Sequence, residues 1–203
     1  MIEEQILKLF IENYKLKFND IEKSLKIRSN KLAYYLKKLK DKGIIVREKN
    51  IYSLSKASEF LIPYLSDKKS PLPVILIHIG NKKEAFLYYR TKRPFKNKLG
   101  LPGGRLEENE SIENGAKRIM FEKFKIKIKN QKIKSISLEH VKTSNKVIYS
   151  FLLILISASV KDKINLTNIK INKKRIISSD YKLLKNIQTY NNKLKINTIY
   201  SRD

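Results

Sequence analysis

Between Leu99 and Ser111 the chain reads LGLPGGRLEENES. Two adjacent glycines, Gly103 and Gly104, precede Glu107, Glu108 and Glu110. Lacking a Cβ, glycines let the backbone approach a phosphate or a metal closely. Clustered carboxylates are the hard oxygen donors that Mg²⁺ takes in near-octahedral array. The helix-spaced stretch that follows carries Arg118, Glu122 and Lys123, with Ile119 directly after the arginine. Carboxylates at i, i+3 and i+4 share one helix face; of positions 119, 122 and 123 only Glu122 is acidic. The basic loop Arg90–Lys98 (RTKRPFKNK) lies just before this segment. It can guide a phosphate ligand, and a solvated loop explains it nearly as well. No other constellation competes. Cysteine is absent, so there is no thiolate nucleophile, disulfide or Cys-based zinc site. His78 and His140 are isolated and read as structural.

These residues need a scaffold, and the periodicity supplies one. Val74–Ile79 is a β-prone run, Asn81–Lys83 a turn, and Ala85–Arg90 a second strand pairing back on the first. A loop over Pro94–Gly104 leads to a helix from Ser111 to Phe124. Lys132–Val141 and Lys146–Ser159 form a hairpin turning at Thr143–Asn145. A last helix spans Ser178–Asn191, capped by Ser179 or Asp180. Upstream, residues 2–13 form an amphipathic helix, Asn19 or Asp20 caps a short helix over Ile21–Leu25, and Ser29 caps a third from Asn30 to Lys42. Its core stripe is Leu32, Leu36 and Leu39, and Gly43 sits at C′. Ile44–Arg47 and Ile51–Leu54 are strands joined at Glu48–Asn50, and a fourth helix over Lys56–Leu65 bends near Pro63. The polar, proline-bearing stretch 66–73 divides the chain: residues 1–66 form one domain, 67–73 a linker and 74–203 a second domain.

The 45 Lys and Arg residues exceed the 19 acids to give a net charge of +26. Such a surplus favours a polyanionic partner, although lysine-, isoleucine- and asparagine-rich composition also follows from an AT-rich genome. The opening MIEEQILKLF lacks the basic region of a signal peptide, and the longest apolar run, Phe151–Ile156, is too short for a bilayer. A soluble, cytoplasmic protein without a membrane partner is expected.

Asn30–Ile45, NKLAYYLKKLKDKGII, resembles the recognition helix and wing approach of archaeal and bacterial winged-helix regulators. The resemblance covers about the first 65 residues. It implies a helix in the DNA major groove, with the wing on the flanking backbone. The implied contacts to double-stranded DNA are Arg28, Ser29, Asn30, Lys31, Tyr34, Tyr35 and Lys38, with Arg47 and Lys49 on the wing.

The second half resembles the Nudix family over about residues 72–160. That family's box reads G-x5-E-x7-R-E-U-x-E-E-x-G-U, with U apolar. Gly104, Glu110 and Arg118 fall in register, and Leu-Pro-Gly-Gly and Glu107 match common usage. The resemblance implies an α/β/α sandwich around a mixed sheet, so the whole chain is α+β. It also implies magnesium-assisted hydrolysis of nucleoside diphosphates linked to another moiety. The helical acids, however, read Ile119, Glu122 and Lys123, and the closing glycine is Lys125. One cation about 5 Å from a metal, at an effective dielectric of about 20, costs roughly 3 kcal/mol. No catalytic residue is therefore assigned; Glu122 is the sole metal candidate, and magnesium is the cofactor only if hydrolysis persists, with Glu107, Glu108 or Glu110 assisting and Glu139 as a distant base. Glu110 and Arg118 are implied to support loop and helix by pairing. Arg90, Arg93, Gly103, Gly104, Arg105 and Lys123 are the candidates for a phosphate; Lys123 either grips it in place of metal or is merely solvated. Proteins joining these two domain types act as regulators. The expected function is a homodimeric transcriptional regulator that senses a nucleotide-like small molecule, the alternative being an active hydrolase with an accessory winged helix.

Overall fold

The computed structural model describes residues 2–65, 70–143, 146–187 and 189. The chain divides into two compact units, Met1–Lys69 and Ser70–Asp203. In the first, α1 (Ile2–Glu12), β1 (Leu16–Lys17), α2 (Phe18–Leu25), α3 (Ser29–Asp41), β2 (Ile45–Glu48) and β3 (Ile51–Leu54) follow in order. The strands form one antiparallel sheet, β1-β3-β2. Helical spacing puts Ile6 and Phe10 of α1 and Leu32, Leu36 and Leu39 of α3 into one core with Ile21, Ile45 and Tyr52. This is the element order the winged-helix reading expects. Gly43 follows α3 at φ 69°, the left-handed position glycine fills without strain.

Two capping expectations are corrected here. Ser29 is the first residue of α3, behind Arg28 at the cap, and its hydroxyl donates to Glu22. Asp20 acts from inside α2, where its carboxylate accepts from the Lys17 amide at 3.0 Å. The segment Lys56–Tyr64 is a 3₁₀ rather than an α-helix, with Pro63 inside it.

The second unit is built on β4 (Leu72–His78), β5 (Glu84–Ala85), β6 (Tyr88–Tyr89), β7 (Leu99–Gly100), β8 (Gly103–Arg105), α4 (Ile112–Phe124), β9 (Ile128–Thr143), β10 (Lys146–Val160), β11 (Thr167–Asn168) and α5 (Ser178–Lys185). The main sheet has the order β8-β4-β10-β9, with β4 and β10 parallel and the other pairs antiparallel. Strand alternation serves both faces. Ile75, Ile77, Ile154 and Ile156 pack with Ala116, Ile119 and Met120 of α4. Leu76, Leu153 and Leu155 pack with Leu183 and Leu184 of α5. The result is a helix–sheet–helix sandwich around a mixed sheet.

Several boundaries differ from the sequence expectations. β4 already starts at Leu72, inside the stretch read as linker; residues 66–69 and the hairpin tip at 144–145 lie outside the described residues. Ala85–Arg90 does not pair along β4, because β8 and β10 occupy both of its edges. It returns only through a Gly80–Ala85 bridge and the Phe86 amide on the Ile79 carbonyl at 2.8 Å; its two short strands pair instead with β11 and β7. α5 begins at Ser178, with Ile177 at its cap, so neither Ser179 nor Asp180 caps it; it ends at Lys185, short of the expected Asn191, and residue 188 and the residues past Thr189 lie outside the described residues. No helix among the described residues is long and apolar enough to cross a membrane.

Candidate functional site

Ser111 caps α4 by accepting from the Asn114 amide at 3.2 Å. The helix can press close to β4 because residue 115 is glycine: a Cβ there would stand 2.7 Å from Ile75 Cδ1 and 2.8 Å from Glu110 Oε1. This places Arg118 beneath the acidic loop. Its Nε donates to Glu110 Oε2 at 2.9 Å, and Nη2 donates to Glu110 Oε1 at 2.7 Å and to the Arg105 carbonyl at 3.0 Å. The Glu110 side chain is 12% exposed. Its Oε1 also accepts from the Glu107 amide at 2.7 Å. The Arg118 guanidinium holds the Glu110 carboxyl below its ordinary range, and Glu110 in turn raises the arginine. The structure thus brings together the two residues implied to brace loop and helix.

The remaining acids turn to the same arginine. Glu107 and Glu122 lie 3.0 and 3.4 Å from Arg118 Nη1, with side chains 60% and 58% exposed. Glu108 is also exposed. Ile119, at the first helical position of the box, is 1% exposed within the core, and a Cβ on Gly104 would meet its Cγ1 at 2.9 Å. At the third position Lys123 donates its ammonium to the Gly103 carbonyl. The residue is exposed along the helix while the ammonium end is partly buried, and that burial, with Arg90 and Lys92 nearby, lowers its pKa. Magnesium needs several convergent oxygens. Here two of three helical donors are gone, the third is engaged with Arg118, and a cation points at the loop carbonyl. The residues present do not fit the metal. Among the described residues no cluster of three His, Cys, Asp or Glu side chains could hold one.

Lys123 and the Gly103-Gly104 start of β8 border a cavity of about 580 Å³. Arg90, Lys92, Arg93 and Arg105 supply further positive charge; Tyr88, Phe95, Phe124 and Phe151 supply aromatic wall. All six predicted phosphate-site residues lie on this cavity. They do not serve it equally: Arg90 Nε donates to the Pro94 carbonyl at 3.0 Å, and its backbone closes the loop on Asn97 and Lys98. Glu139 also lines the cavity. His78 is 5% exposed and held below its ordinary pKa by burial, which keeps it neutral and structural. His140 bonds the Ser150 hydroxyl at 2.9 Å on the hairpin, away from the cavity.

The sequence reading missed Asp180. It is 4% exposed, lines the cavity, and accepts from the Leu101 amide at 2.7 Å. Burial lifts its carboxyl to about 7; the Leu101 amide opposes this and Glu139 adds to it. The signal was available: Asp180 lies on the apolar stripe of α5 with Leu183 and Leu184, where a carboxylate needs a reason.

In the N-terminal unit the structure sorts the predicted DNA contacts. Asn30, Lys31 and Tyr34 are exposed on α3, and Arg28 precedes it in the open. Tyr35 is corrected to a core-flanking role: it is partly buried and packs against the hydrophobic cluster. Lys38 is ion-paired with Glu3 at 2.7 Å, which Lys42 also contacts at 3.0 Å. Arg47 braces the wing, donating to the Lys49 carbonyl at 2.8 Å and to Asn50 Oδ1 at 3.2 Å, over the Tyr52 ring. Lys49 is exposed at the tip with φ 54°. Lys37, not anticipated, is exposed on the side of α3 opposite Leu32, Leu36 and Leu39, and a helical wheel would have placed it there.

Residues 69–168 match the NUDIX domain family. No curated protein matches the chain. Among solved structures, the NUDIX domain of Shewanella oneidensis NrtR complexed with ADP ribose is 13% identical at a TM-score of 0.50, over 67% of this chain and 98% of that one. A NUDIX hydrolase from Nitrosomonas europaea is 16% identical at a TM-score of 0.48, over 59% and 90% respectively. Shewanella oneidensis NrtR complexed with a 27mer DNA is 13% identical at 0.46, over 57% and 60%. At these identities the likeness is one of fold.

Proposed function

Because residues 69–168 form a Nudix domain, we propose that the chain is a DNA-binding transcriptional regulator whose degenerate Nudix domain senses a nucleotide-derived, pyrophosphate-containing ligand instead of hydrolysing it. The observation that carries this reading is the position of Lys123, whose ammonium meets the Gly103 carbonyl at the edge of a basic, aromatic-walled cavity. A site of that composition retains the means to bind phosphate and a base or other flat group, and lacks the carboxylates that hold metal against attacking water. The hydrolase alternative needs Glu122 with Glu107, Glu108 or Glu110 on a metal; Glu107, Glu110 and Glu122 are engaged by Arg118, and Glu108 is exposed.

The N-terminal unit supports the DNA half. Its third helix exposes Asn30, Lys31, Tyr34 and Lys37, and the β2–β3 wing carries Arg47 and Lys49. Phosphate neutralisation by such lysines gives salt-dependent affinity for double-stranded DNA. A homodimer would place two such helices on adjacent half-sites, in the cytoplasm where the regulated DNA lies. A thermal-shift screen of the full chain tests the sensor reading, using ADP ribose (the ligand in the NrtR domain structure), dinucleotides and nucleoside phosphates, each with and without Mg²⁺. Stabilisation without product formation is expected. Magnesium-dependent turnover at rates ordinary for hydrolases would falsify the reading.

A further inference from the structure

We propose that the Lys123 ammonium is a built-in replacement for the metal ion, so that this cavity binds a phosphate-bearing ligand with no divalent cation. The inference rests on the sensor reading and adds to it the means by which phosphate charge is met. Three observations converge. Lys123 reaches the Gly103 carbonyl from the last turn of α4, and a Cβ on Gly104 would stand 3.6 Å from its Nζ, so the ammonium is seated against the Gly-Gly start of β8. An ammonium has three donors; Gly103 takes one, and the others are available to phosphate oxygens. Three acids of the box, Glu107, Glu110 and Glu122, are drawn to Arg118. The cavity lining carries Arg90, Lys92, Arg93 and Arg105 besides Lys123, against two acids, Glu139 and the buried Asp180, so its charge balance is positive.

The chemistry of the ligand follows from this charge balance. A metal-dependent site presents carboxylates and needs a cation between them and the phosphate. Here the protein presents the cation directly, and an intervening Mg²⁺ would be repelled by it. The preferred ligand is a diphosphate-bearing anion that reaches the site uncomplexed, with a flat group against Tyr88, Phe95 or Phe151. Lysine acts at such a site as a point charge on phosphate.

The test is isothermal titration of the full chain with inorganic pyrophosphate and with ADP ribose, in EDTA and in excess Mg²⁺. Binding in EDTA at least as tight as in Mg²⁺ is expected. Lys123→Gln should weaken binding in EDTA by about tenfold or more, as expected when one charge-assisted hydrogen bond is removed, while Lys123→Arg retains most of it. Binding that requires Mg²⁺, or Lys123→Gln binding as tightly as the unaltered chain, overturns the proposal while leaving the sensor reading intact. Failure of both probes to bind in either condition overturns the sensor reading together with it. If Lys123→Gln does not fold, as judged by circular dichroism, the comparison of EDTA with Mg²⁺ on the unaltered chain still decides the matter.

Discussion

Replacing Arg118 with Met leaves Glu110 in place without its partner, and the structure sets the size of the effect. Breaking one side of a fully buried ion pair costs about 3–5 kcal/mol, whereas an exposed pair contributes about 0–1 kcal/mol. Arg118 and Glu110 have side chains 24% and 12% exposed, with two hydrogen bonds between them. The pair therefore lies between these limits, and Glu110 keeps only the Glu107 amide after the change. A loss of about 2 kcal/mol is expected for the C-terminal unit, read as the shift of its urea transition by circular dichroism. A double-mutant cycle with Glu110→Gln should give a coupling of about 1–2 kcal/mol. The pH dependence has a defined sign. Arg118 holds the folded-state pKa of Glu110 below its unfolded value, so the pair's stabilisation is complete above the unfolded pKa and disappears as pH falls through the folded one. The penalty of Arg118→Met should accordingly shrink in acid. A coupling below about 0.5 kcal/mol, or a penalty unchanged at about pH 3, refutes the assignment of Glu110 and Arg118 as the brace of this loop.

Ile119→Glu, which restores an acid at the first helical position of the box, should cost about 3–5 kcal/mol in thermal or urea unfolding, because the carboxyl enters the core at a site 1% exposed; magnesium-dependent turnover in this variant would contradict the packing argument. Asp180 is raised from 3.8 to about 7 by burial, so the folded chain binds more protons than the unfolded chain between those values and stability falls as pH rises through that window. Asp180→Asn should remove that decline, and melts at pH 5 and pH 8 check it: a slope that survives the substitution belongs to another group. Exchanging Lys31 and Lys37 for Glu should weaken duplex DNA binding at low salt and reduce the slope of log K against log salt by about one for each phosphate no longer neutralised; an unchanged slope removes α3 from the interface.

What the sequence made legible divides along physical lines. Elements with a strong period were placed well: α4 falls within a residue of its expected start, and the β9–β10 ladder runs from Ile128 to Val160 around the expected hairpin. Register-bearing motifs were also readable, since Glu110 and Arg118, eight residues apart, meet in the fold. Strand partners were less legible. Ala85–Arg90 has the composition of a strand beside β4, but β10 arrives from more than 60 residues away to take that edge, and no local pattern encodes that competition. Side-chain engagement was least legible. Tyr35 looks exposed on a helix considered alone, and the shared core half-buries it; Lys38 stays exposed, but α1 brings Glu3 to pair with it. Asp180 was obscured for the opposite reason, because a residue beside a helix start reads first as a cap.

The same division explains how residues 69–168 match the NUDIX domain family while two of the box's three helical acids are Ile119 and Lys123. The box serves two purposes through different residues. Gly104, Gly115, Glu110 and Arg118 close the loop onto the helix and the helix onto the sheet, where an added Cβ or a missing charge would disturb backbone contacts. Positions 122 and 123 lie on the exposed side of α4, where changes need not disturb that closure, whereas Ile119 is buried in the core. Ile119 adds apolar burial beneath Gly104, Glu122 joins Arg118 from the solvent side, and Lys123 bonds a carbonyl that its ammonium can satisfy. Ile119 and Lys123 are both compatible with the loop geometry around them, and Lys123 presents positive charge to the cavity. The fold therefore constrains the bracing residues far more than the exposed positions 122 and 123, and a lysine at 123 is accommodated where the family's box has an acid.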